Sequence, residues 1–168
     1  ELDMYEDNFH SVSFTGGEPL VQKDFLKSAL ELTNKAGYRN YLETNGTLPD
    51  ALKEVIAHVD IVAMDLKLPS STGAAAYWQT HTEFLAIAAQ KEVFLKAVIC
   101  KDTSDMDLRL GIELIKSVHR AGMLVLQPNF FEDSIELRQK IEKYRDICLE
   151  NNILTCVIPQ MHKVTWMP

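Results

Sequence analysis

Ser11-Val12-Ser13-Phe14-Thr15-Gly16-Gly17-Glu18-Pro19-Leu20 runs from a strand pattern, through two glycines, into a helix start. The β-branched and aromatic residues suit an extended chain. Gly16 and Gly17 permit positive φ and let a ligand approach the backbone closely. Pro19 presets the φ of a first helical turn. Phe25, Leu26, Ala29, Leu30 and Leu32 then recur at helical spacing, and Ala36-Gly37 ends that helix.

The same strand–turn–helix unit recurs outward along the chain. Strands are expected at 11–15, 39–44, 60–66, 92–100, 123–127 and 153–158. Helices are expected from Pro49, over 74–89, after a cap at Ser104 or Asp105, and over 132–150. Pro69-Ser70-Ser71-Thr72-Gly73 reads as a loop. Strict alternation implies an α/β fold of parallel strands joined by right-handed crossovers, in one domain spanning 1–168. Periodicity leaves two architectures open, a doubly wound open sheet and a barrel, whole or partial.

The 168 residues are 46 % hydrophobic, enough for a sizeable core. A net charge of -7 gives no support for a nucleic-acid partner, because phosphate contacts need a basic patch. No apolar run is long enough for a transmembrane helix, and the acidic start lacks the pattern of a signal peptide, so a cytoplasmic location is expected. Cys100, Cys148 and Cys156 are widely spaced, with no Cys-x-x-Cys pair to suggest zinc, and read as buried free thiols.

The unusual residues gather at strand ends: Gly16-Gly17-Glu18, Glu43-Thr44-Asn45-Gly46, Asp65 with Lys67, Gln127-Pro128-Asn129, and Pro159-Gln160. In parallel α/β architectures ligands bind at the C-terminal edge of the strands. Alternation puts Tyr41, Glu43 and Asn45 on one face, and Asp65 beside Lys67, with Val62, Met64 and Leu66 on the other. Lys96 stands inside Val93-Phe94-Leu95-Lys96-Ala97-Val98-Ile99. A lysine there either lines a polar cavity, paired with Glu43 or Asp65, or guards an edge strand. Each motif also has a bland reading as ordinary turn chemistry, a salt bridge or a structural histidine.

In sequence and order these strings resemble the radical S-adenosylmethionine (SAM) superfamily. Gly16-Gly17-Glu18-Pro19 is similar to its GGEP motif, whose backbone binds the amino group of SAM in that family. Glu43-Thr44-Asn45-Gly46 and Pro159-Gln160-Met161-His162-Lys163 resemble segments of the 7-carboxy-7-deazaguanine synthases. The resemblance implies a partial (β/α) barrel of parallel strands. It implies SAM contacts from Gly16, Gly17, Glu18, Pro19, Glu43, Asn45, Gly46, Asp65, Lys67, Gln127, Pro128 and Asn129. It implies substrate contacts from Thr44, Lys96, Gln160 and His162, with a small pterin-like molecule, 6-carboxytetrahydropterin, as substrate. Asp65-Leu66-Lys67 departs from the Ser-Pro-Lys common in those synthases and looks closer to glycyl-radical activating enzymes, which act on a protein partner. A catalytically dead SAM-like scaffold is the reading from a different class.

The superfamily holds a 4Fe–4S cluster on Cys-x3-Cys-x2-Cys upstream of GGEP, and no such motif occurs here. The chain is therefore expected to be a C-terminal piece lacking the first barrel strand and the cluster loop. Alone it is expected to show neither cluster absorbance nor SAM cleavage. Magnesium is used in the synthase family, its ligand supplied by that upstream portion. The open strand edge at Val12 to Thr15 is expected to favour dimerisation, strand exchange or aggregation.

Overall fold

The computed structural model describes residues 10–118, 123–132 and 134–159. Among the described residues six strands form one parallel sheet: β1 (Val12–Phe14), β2 (Asn40–Thr44), β3 (Ile61–Asp65), β4 (Glu92–Ile99), β5 (Met123–Pro128) and β6 (Leu154–Val157). Their spatial order equals their chain order. A doubly wound sheet reverses direction at a switch point, whereas this one advances by one strand at every crossover, as a barrel does. Among the described residues β1 and β6 each pair on one side only, so the barrel is an open arc.

Six α-helices among the described residues accompany the strands: α1 (Lys23–Lys35), α2 (Pro49–Val55), α3 (Pro69–Thr72), α4 (Trp78–Ala88), α5 (Asp105–Val118) and α6 (Ile135–Glu150). The longer ones pack in series, α1 on α2, α2 on α4, α4 on α5 and α5 on α6. The core lies between this helical layer and the sheet. Leu42, Met64, Leu95 and Leu126 face Leu30, Leu52, Phe84, Leu85, Ile115 and Tyr144 in one buried cluster. No helix among the described residues is long and apolar enough to cross a membrane.

Three boundaries differ from the sequence reading. The expected loop at 69–73 contains a one-turn helix, because Pro69 opens it and the Thr72 hydroxyl donates to the Leu68 carbonyl at 3.0 Å. Gly73, at φ 68°, then turns the chain away, and α4 begins only at Trp78. Ala74 to Ala76 are exposed, and alanine without a buried face does not hold a short helix. The helix expected from Glu132 begins at Ile135, capped by Ser134, whose hydroxyl accepts from the Leu137 amide at 3.1 Å. Glu132 instead accepts from the Lys101 amide at 2.7 Å. Ser104 caps α5, accepting from the Asp107 amide at 3.1 Å.

At the N-terminal ends of the strands a polar node fixes the register. Asn40 is fully buried. Its amide group donates to the carbonyls of Leu30 and His58 at 2.9 and 2.8 Å, and its oxygen accepts from Thr33 Oγ1 at 2.6 Å. Its backbone N–H donates to the Asp60 carboxylate at 2.7 Å. One side chain thereby ties the end of α1 to the starts of β2 and β3. Asn40→Ala leaves those buried partners unsatisfied and is expected to cost roughly 2–4 kcal/mol. Urea unfolding checks this: the midpoint should fall with the denaturant slope unchanged.

Candidate functional site

The sheet face opposite the helices is polar at its C-terminal edge. Register sets Asp65 beside Lys96, and Ala63 between Glu43 on β2 and Phe94 on β4. Lys96 is on β4, flanked by β3 and β5, so the edge-strand reading fails. Its ammonium bonds Glu43 Oε1 on β2 and lies 3.3 Å from Asp65 Oδ1 on β3. Reaching β2 means crossing β3, a span of about two strand spacings or roughly 10 Å. A long side chain manages this because the residue between, Ala63, is small.

The charges continue on both sides. Thr15 Oγ1 donates to Glu43 Oε2 at 3.2 Å, and Lys67 Nζ donates to Asp65 Oδ2 at 2.9 Å. A neutral file, Thr15–Glu43–Lys96–Asp65–Lys67, therefore crosses β1 to β4. Only 10 % of the Lys96 side chain is exposed, so its charge needs both carboxylates. Below the file lies a cavity of about 340 Å³ lined by Tyr41, Phe94, Val125, Gln127, Ile158 and Pro159 with Glu43 and Lys96. Tyr41 and Phe94 meet with ring centroids 5.9 Å apart. Burial pushes the Tyr41 phenol up to about 12, and the carboxylates of Glu43 and Asp65 add to it, so the hydroxyl keeps its proton.

The two glycines sit where β1 ends. Gly16 has φ 118°, and a Cβ added at Gly16 or Gly17 would meet nothing within 4 Å. The next residues are bound inward. Glu18 Oε1 accepts from the Leu20 amide at 3.1 Å and Thr44 Oγ1 at 2.9 Å, and Oε2 accepts from the Asn45 amide at 2.7 Å. That carboxylate clamps the β1 turn to the β2 turn. Pro19 opens a 3-10 turn, Pro19–Gln22. Thr44 is buried on the helix side, its hydroxyl spent on this clamp and on the Gly46 amide. The Asn45 carboxamide folds back to accept from the Thr47 amide at 2.9 Å and from the Thr47 hydroxyl at 2.6 Å.

The remaining sequence candidates divide. Gln127 lines the cavity, whereas Pro128 lines a separate hollow of about 470 Å³ against α6. Asn129 is occupied locally: its amide donates to the Ile99 carbonyl at 2.8 Å, and its side chain donates to Glu132 at 3.1 Å. Gln160 and His162 lie outside the described residues. Among the described residues no group of three or more His, Cys, Asp or Glu could hold a metal ion. Cys100 and Cys148 are buried, and Cys156 is half-buried.

Sequence reasoning passed over Phe94, Thr15 and His81. Phe94 shares Lys96's parity on β4 and was legible from alternation. Thr15 and His81 carried no local signal. His81, on α4, is fully buried against the β2 turn. A Cβ at Gly46, where φ is 70°, would stand 2.7 Å from Met64 Cε and 3.4 Å from His81 Cδ2, so only glycine fits that turn. Burial holds the imidazole down to about 4, helped by the charge of Lys67 and opposed by the Asn45 carbonyl and Asp65.

A profile of the Radical SAM superfamily matches residues 1–98. Three curated proteins, each named 7-carboxy-7-deazaguanine synthase, are similar over much of the chain. The one from Geobacter sulfurreducens is 42% identical over 118 residues, 70% of this chain and 47% of its own length. That from Methanospirillum hungatei is 46% identical over 95% of this chain and 60% of its own length. That from Methanopyrus kandleri is 30% identical over 98% and 63%. The chain thus spans about half to under two thirds of these relatives. Among solved structures, a domain of pyruvate-formate lyase-activating enzyme from Bacteroides vulgatus superposes with a TM-score of 0.72 at 18% identity, covering 89% of this chain and 99% of that one. At that identity the likeness is one of fold.

The buried imidazole sets a pH dependence. Its folded pKa lies below the unfolded value near 6.5, so unfolding takes up a proton between the two. The stabilisation is complete above about 6.5 and is lost as pH falls towards 4. Between pH 7 and pH 5 the wild type is expected to lose roughly 2 kcal/mol through His81 alone. Urea unfolding of wild type and His81→Leu at both values checks this, since the variant should lose correspondingly less.

Proposed function

The chain belongs to the Radical SAM superfamily, and from that premise we propose that it cradles SAM and substrate in an enzyme like 7-carboxy-7-deazaguanine synthase. The observation that carries this reading is the Thr15–Glu43–Lys96–Asp65–Lys67 file beside the open Gly16-Gly17 backbone at one strand edge.

These residues suit SAM. The glycine backbone is bare where a side chain would otherwise block approach. Its carbonyls can accept from an ammonium group, while Lys67 and Lys96 attract a carboxylate and Asp65 accepts from hydroxyls. With a 4Fe–4S cluster, bound SAM supplies radical chemistry for hydrogen abstraction. The cysteines of this chain do not suit that cluster, standing singly after β4, on α6 and on β6. The part played by this chain is positioning and exclusion of water: Tyr41 and Phe94 wall the cavity, and Lys96 holds two carboxylates in fixed places.

In this reading the substrate is 6-carboxytetrahydropterin and the outcome is ring contraction with loss of ammonia. The cavity walled by the rings of Tyr41 and Phe94, with Gln127 beside it, suits a heteroaromatic ring. A second reading, activation of a glycyl-radical enzyme, is favoured by Asp65-Leu66-Lys67 in place of Ser-Pro-Lys.

Anaerobic turnover of the whole protein containing this chain, with its cluster reconstituted, tests both readings. Ring-contracted product from 6-carboxytetrahydropterin is expected, and its absence overturns the lead reading. Lys96→Met should lower kcat/KM at least about 100-fold while circular dichroism stays native, because it leaves Glu43 without a counter-charge and Asp65 with Lys67 alone.

A further inference from the structure

The described residues hold one buried side chain whose polar atoms go unsatisfied. Neither ring nitrogen of His81 finds a hydrogen-bond partner among them, although the ring is fully buried. Such a group destabilises the fold against an apolar side chain of the same shape, and native proteins rarely tolerate one without cause. Its place in the fold supplies a cause. The ring packs on Gly46, the residue that ends the Glu43-Thr44-Asn45-Gly46 turn. The Asn45 carbonyl faces the ring as a hydrogen-bond acceptor and favours its protonation, but not at the distance and angle of a formed hydrogen bond. Asp65 and Lys67 from the end of β3 also act on the ring, and Tyr77, from the N-cap of α4, places its own ring 5.9 Å away.

We propose that His81 is a positioning residue for the Asn45–Gly46 turn, its neutral ring held short of a hydrogen bond that it completes when the turn closes on a ligand. The turn is otherwise held from the opposite side by Glu18, which bonds Thr44 and the Asn45 amide. One carboxylate and one imidazole thus grip the same turn from β1 and from α4. The Glu18 grip is already made, and the His81 grip is left open. Closing it converts an unsatisfied polar atom into a satisfied one, so part of the ligand's binding free energy comes from the protein interior. The inference rests on the reading that this strand edge holds SAM.

Calorimetric titration of the whole protein containing this chain, its cluster reconstituted, with SAM, together with thermal unfolding, separates the possibilities. Wild type should bind. His81→Leu should unfold at a higher temperature than wild type, because the unpaired nitrogens are gone, yet bind SAM at least tenfold more weakly. His81→Gln, which keeps a donor and an acceptor, should recover most of the affinity. In wild type, the imidazole nitrogen resonances of His81 should shift on saturation with SAM as the ring takes up its hydrogen bond. If wild type binds and His81→Leu binds equally well, His81 is only core and the inference fails. Unmoved nitrogen resonances at saturation overturn it as well, whatever the variants do. A wild type that does not bind SAM sinks the SAM reading itself, and the inference with it.

Discussion

Each strand lies parallel to its predecessor and immediately beside it, and that arrangement governs the rest of the molecule. Parallel neighbours require a crossover, and right-twisted strands make it right-handed. Advancing always in one direction, such crossovers place every helix on the same face. That face buries Leu42, Met64, Leu95 and Leu126 under the helices. The other face is freed from the apolar core and can carry Glu43, Asp65 and Lys96 along one edge. A doubly wound sheet of the same elements, covered on both faces, would have buried those charges in hydrocarbon.

The two ends of the sheet use polar groups differently. At the N-terminal ends Asn40 satisfies every group it touches and does nothing but hold register. At the C-terminal ends the polar groups are of two kinds. Glu18, Thr44 and Asn45 are spent on one another, which fixes the shape of the turns. Glu43, Asp65, Lys67 and the bare Gly16-Gly17 backbone face outward from that frame, the three side chains partly exposed, and the glycines are wholly open. Rigid turns with partly exposed charges between them are what a site for a small charged ligand requires.

His81 breaks the rule that buried polar groups are paired. Local rules in folded proteins fail most often where function is placed. This one fails directly behind the turn that the superfamily resemblance had already marked. The stability it forgoes sits beside the turn, where it can respond to a ligand.

Much of this was legible in the sequence. The alternation of β-branched runs with helical periodicity determined the α/β class and the parallel strands. The glycines, prolines and Asn-Gly pair located the functional edge, and the ordered motifs identified the superfamily. Parity along β2, β3 and β4 put Glu43, Asp65 and Lys96 on one face, because side-chain direction repeats every two residues. Only the tertiary structure decided which of them meet. Strand order chose the barrel arc over the doubly wound sheet, and the small Ala63 let Lys96 reach across β3. It also decided that the Glu18 carboxylate holds the β2 turn, and that His81, from a helix with no motif of its own, lies behind Gly46. Periodicity is a property of one segment. Contact between segments far apart in the chain depends on register and packing, which no local pattern encodes.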